Sequence, residues 1–153
     1  MAAGTEFGGG TNSNRLFAVA AELAKRSGRE ADSCPLDLDR TAKVLEQGVP
    51  LVWTLFLYDP LEQEVKRRTP VRSRDVTNQA SAEKWKHDVL KPIRKSGIPT
   101  VPPEKGHFRL IVGYNATTGE IAFSDSWGGR GVTWITIEEA KAANQCDLYY
   151  LAP

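Results

Sequence analysis

A hairpin signal running from residue 106 to residue 128 constrains the fold of this chain more than any other feature. Gly106-His107-Phe108-Arg109-Leu110-Ile111-Val112-Gly113-Tyr114 reads as one strand, and Glu120-Ile121-Ala122-Phe123-Ser124-Asp125 as its return. Between them, Asn115 to Gly119 carries turn chemistry: Asn and Gly tolerate positive φ, and Thr117 and Thr118 bond locally. Opposed residues of an antiparallel pair have a constant sum of numbers. A turn centred near Ala116 sets His107 across from Asp125, and a one-residue shift of that centre displaces the pairing by about two positions. The pattern predicts an imidazole and a carboxylate meeting at the open end of the hairpin, where the carboxylate orients the histidine for proton transfer.

Upstream, the signals are mostly helical. Thr11, Asn12 and Ser13 offer N-cap oxygens to a helix over 13–27, with Leu16, Val19, Ala20 and Leu23 as its buried stripe and Gly28 as its stop. Leu38, Thr41, Ala42 and Leu45 mark a second helix over 36–47. Val49 to Leu57 is nearly continuous apolar sequence and reads as a buried central strand. Residues 58–79 read as a polar, irregular surface loop, whose Lys66-Arg67-Arg68 and Arg72-Ser73-Arg74 form a solvated basic run. A third helix over 82–94 carries Trp85, Val89 and Ile93 on one face, with Pro92 as a kink or stop. After the hairpin come a strand at 132–136, a short helix at 137–144 and a last strand at 148–151. Helices first and an antiparallel sheet later indicate an α+β fold, with the helices on one side of the sheet.

The function classes are narrowed by what the chain lacks. A formal net charge of +1 points to no polyanion, so no nucleic-acid partner is expected. No apolar run is long enough for a bilayer, and no secretory signal is visible, so no membrane association and a cytoplasmic location are expected. Cys34 and Cys146 lie too far apart for a metal-ligand spacing; they read as two free thiols, with a single bridge as the alternative. No metal or cofactor is expected. His87, among lysines, reads as solvated. Met1 to Phe7 reads as translated cloning sites outside a single domain at 8–153.

Asp125-Ser126-Trp127-Gly128, following a His at the start of the preceding strand, resembles the closing half of papain-like cysteine peptidases, where the motif is Asn-Ser-Trp-Gly. Asp in place of Asn is similar to the bacteriocin-processing branch and its bacterial relatives. Gly48-Val49-Pro50-Leu51-Val52-Trp53 and the closing Leu148-Tyr149-Tyr150-Leu151-Ala152-Pro153 are similar too. The resemblance spans roughly 8–153, with the His and Asp-Ser-Trp-Gly parts its specific elements. It implies a papain-like α+β fold, N-terminal helices on a C-terminal antiparallel sheet, and a peptide or protein as substrate or partner. His107 would be the general base, Asp125 its orienting partner, and Trp127 a cover keeping water off their hydrogen bond.

The family's nucleophilic Cys lies on an N-terminal helix, a few residues after an oxyanion-hole Gln and before a Gly-Gly-Thr segment. Here Gly8-Gly9-Gly10-Thr11 stands near the start, without that Gln and Cys before it. The expectation is a domain incomplete at its N-terminal end, inactive as a peptidase. A non-catalytic binding or assembly module on the same fold, with a homodimer covering exposed apolar surface, is the alternative. Cys34 precedes Pro35 and a helix start, in the chain order Cys, His, Asp, and is the one candidate nucleophile. Against it stand Asp32, Asp37 and Asp39, whose charges oppose a thiolate; the other reading is an ordinary loop or core thiol.

Overall fold

The apolar run after Gly48 becomes a strand in the interior of the sheet, Leu51–Phe56 (β2), and the rest of the chain is laid around it. The computed structural model describes residues 13–125 and 131–152. In chain order these residues form α1 (Ser13–Arg26), β1 (Ala31–Cys34), α2 (Leu38–Leu45), β2, α3 (Asp59–Asp75) and α4 (Gln79–Trp85). A π turn (Lys86–Leu90) leads into α5 (Lys91–Ser96), followed by β3 (Gly106–Asn115), β4 (Glu120–Ser124), β5 (Thr133–Thr136), α6 (Ile137–Ala143) and β6 (Leu148–Leu151). The strands make one antiparallel sheet in the order β1-β6-β2-β3-β4-β5. The fold is therefore α+β.

Strand alternation gives the sheet two unlike faces. Leu51, Trp53 and Leu55 of β2 and Ile111 of β3 point into the core with Ile121, Phe123, Ile135 and Leu148. Val44 of α2 and Ala140 and Ala143 of α6 cover that face. On the outer face lies α1, with Phe17 stacked on Tyr149 at 3.6 Å and edge-on to Phe108 at 6.3 Å. The helices thus do not share one side of the sheet, contrary to the sequence expectation. Between α1 and the outer face runs an apolar crevice of about 670 Å³, lined by Leu23, Val52, Leu110 and Leu151 among others.

Two further expectations are corrected. Residues 58–79 are not a loop: most of them form α3, which flanks the edge strand β5, with Thr69 Oγ1 accepting the Trp134 N–H at 3.0 Å. Covering an edge in this way removes a template for unwanted strand pairing. The basic run on α3 is also not uniformly solvated. Arg68 is buried with Glu139 at 2.6 Å, and Arg72 with Glu120 at 3.1 Å while lying over the Trp134 ring. The third helix does not stop at Pro92: it runs without a gap from Gln79 through the π turn to Ser96, and just before Pro92, which has no N–H to give, the Lys91 N–H reaches back to Lys86 O across that turn.

In the hairpin, β3 carries one residue more than β4: Ile111 pairs with Phe123, but Gly113 pairs with Ala122, so Val112 is a bulge. No helix among the described residues is long and apolar enough to cross a membrane.

Candidate functional site

The turn closes on the Asn115–Glu120 pair, later than a centre near Ala116. Gly119 takes φ +71°, and the Asn115 side chain accepts the Thr118 N–H at 3.1 Å. Beyond the bulge, Leu110 pairs with Ser124, and continuing that register sets Asp125 beside Arg109. His107, two residues earlier on the same face, meets Asp125 on the diagonal, a separation that long side chains bridge. The predicted pair forms: His107 Nε2 and Asp125 Oδ1 are 2.9 Å apart. Both side chains are largely covered, at 11% and 18% exposure.

Asp125 has a second neighbour, the cation Arg109, that sequence reasoning missed. Arg109 Nε donates to Asp125 Oδ2 at 2.8 Å, and Arg109 Nη1 donates to Glu62 Oε1 at 2.8 Å. Its Nη2 completes a bidentate pair with Glu62, on the first turn of α3. Burial works against the charge on Arg109, yet hydrogen bonds and charge from Glu62 and then Asp125 hold its pKa above the ordinary value. A signal was present in the sequence. Arg109 is a lone charge within an apolar strand, two residues from His107, which places both on one face. Its partner Glu62 lay in the stretch read as loop.

Chemically, an imidazole that donates Nε2–H to a carboxylate presents its lone pair at Nδ1, the nitrogen through which it would exchange a proton. Such a pair is a base with a fixed orientation, half of what nucleophilic catalysis needs.

Cys34 does not join it. It ends β1, paired with Leu148, and both β6 and β2 stand between β1 and the strand of His107. Three strand spacings amount to about 14 Å. Burial pushes the Cys34 thiol up; Arg40 opposes this, and Asp147, Asp32 and Asp37 reinforce it. That is the reverse of an activated nucleophile. Cys146 is exposed just before β6, with β2 between that strand and β3. Both thiols are free, so no bridge joins them. Trp127 lies outside the described residues. His87 is on the surface beside Asp88, as its lysine-rich setting suggests. Among the described residues no group of His, Cys, Asp and Glu is arranged to hold a metal ion.

The chain matches no protein-family model, no curated protein and no solved structure.

Proposed function

We propose that His107 and Asp125 are the base and orienting carboxylate of a papain-like, bacteriocin-processing-type cysteine-peptidase site, in a chain that does not supply the nucleophile to them. The observation that carries this reading is the 2.9 Å contact between His107 Nε2 and Asp125 Oδ1 at the covered end of the hairpin. The Asp-Ser-Trp-Gly motif that begins at Asp125 supports it. In the complete reaction a thiol gives its proton to His107, the thiolate attacks a peptide carbonyl, and His107 returns the proton to the leaving amine; water, deprotonated by His107, then cleaves the thioester, releasing the acid and restoring the thiol. Cys34 lies three strands away, so no peptide hydrolysis is expected of this chain alone.

The test installs a thiol where the base can reach it. Leu55 lies directly opposite His107 on β2 and faces the same side. In Leu55→Cys, thiolate absorbance at 240 nm should rise at a pH about one unit or more below that in Leu55→Cys/His107→Ala, as expected for a thiol beside a positionable base. Asp125→Asn in the Leu55→Cys background should reduce that difference. Identical thiolate titrations with and without His107 would overturn the reading.

A further inference from the structure

The carboxylate of the dyad is gripped from its far side. Arg109 is only 1% exposed, and its guanidinium lies 4.2 Å over the ring of Phe123. One end of the fork holds Asp125 Oδ2 and the other holds both oxygens of Glu62. A planar group fixed at both ends over an aromatic face cannot swing. A carboxylate by itself turns readily about its last torsion, because that sp³–sp² rotor has a broad well.

We propose that Arg109, braced by Glu62, is the positioning residue of this site: it stops Asp125 from rotating and keeps Oδ1 closed on His107 Nε2. The inference rests on the proton-transfer reading of the dyad and adds to it a dependence on α3. Glu62 belongs to that helix, so the docking of α3 along the sheet edge reaches the imidazole through two ion pairs. The bracing also explains why a cation is tolerated in an apolar strand: its donors are taken up by two carboxylates rather than left facing the core.

The readout is the imidazole Nε2–H proton of His107, followed by NMR in the full chain. In the wild-type protein this proton should give a downfield resonance protected from solvent exchange. In Arg109→Met it should exchange about tenfold faster, the scale set by weakening one charge-assisted hydrogen bond. Arg109→Lys should restore part of the protection, since one ammonium can still reach Asp125. Glu62→Gln leaves the guanidinium in place but loosens its far end, and should speed exchange by about threefold.

Unchanged exchange in a folded Arg109→Met protein would overturn the proposal. If that variant fails to fold, Glu62→Gln decides: unchanged exchange there overturns it equally. Asp125→Ala, which removes the acceptor, separates the two readings. If His107 keeps its protected proton in that variant, the dyad itself is refuted, whereas loss of the proton there with unchanged exchange in the Arg109 and Glu62 variants refutes only the role of Arg109.

Discussion

At Gly119 the register of the hairpin depends on one positive dihedral, φ +71°. A Cβ there would stand 3.0 Å from Arg94 Nη2, which donates to the Thr118 carbonyl at 3.0 Å and also holds Glu138. Gly119→Ala should therefore cost about 1–2 kcal/mol, measured as a lower urea midpoint. The turn is tied to function through counting, because its position decides which residue faces Asp125. That counting brought His107 and Asp125 to the same end of one hairpin, but two residues out of register, since Arg109 rather than His107 stands across from Asp125. Glycine and asparagine announce a turn, and alternation assigns faces. Arg109 was passed over because apolar neighbours on both sides make a strand position look settled, while its two carboxylate partners are 47 and 16 residues away in sequence. Nothing local encodes such partners.

Among the elements, α3 shows best how a buried face can be disguised. Leu61, Val65, Arg68 and Arg72 form its covered stripe, at helical spacing, but half of that stripe is charged and Pro70 interrupts the sequence. A hydrophobic-period reading sees a polar loop; the stripe appears only once Glu139 and Glu120 are known to lie opposite. Strand β1 was missed for a related reason. Ala31-Asp32-Ser33-Cys34 has little strand propensity and owes its form to pairing with β6. The Arg68–Glu139 pair is 3% exposed on each side, and the Glu139 carboxylate also caps α6 through Thr136. Arg68→Met should therefore cost about 3–5 kcal/mol by leaving a buried carboxylate unpaired, and Arg68→Met/Glu139→Leu should recover most of that loss in the same denaturation assay. Burial favours the neutral form of Glu139, but Arg68 and then Thr136 outweigh it and hold the carboxyl below its usual range. A group lowered on folding stabilises the protein fully above its unfolded value, about 4.3, and that share is lost as pH falls through the lower folded value. Urea midpoints taken from about pH 6 down to pH 3 should accordingly fall less steeply for Glu139→Gln than for the wild-type protein.

Taken as a whole, the molecule is asymmetric across its sheet. One face carries a closed core, and the other carries α1 over a crevice of about 670 Å³, with Leu23 59% exposed and Leu110 43% exposed. Phe17 fastens α1 to that face, stacked on Tyr149 and edge-on to Phe108. Helix α1 should therefore open alone: hydrogen exchange of its amides should run at least about a hundredfold faster than that of β2, and Phe17→Ala should widen the gap without moving the global transition. The α+β class followed from the order of segments, but the placement of α1 did not, since an amphipathic stripe states that a helix is covered and not by which face. The bulge at Val112 has a consequence for how the hairpin can vary in length. Because β3 already carries one surplus residue, removing Val112 would leave the register from Ile111 back to His107, and with it the diagonal contact of His107 with Asp125, unchanged. Adding or removing one residue between His107 and Ile111 would turn the imidazole to the opposite side of the sheet. Length changes within that five-residue stretch keep the imidazole on the face of Asp125 only in even steps, a parity rule set by strand alternation.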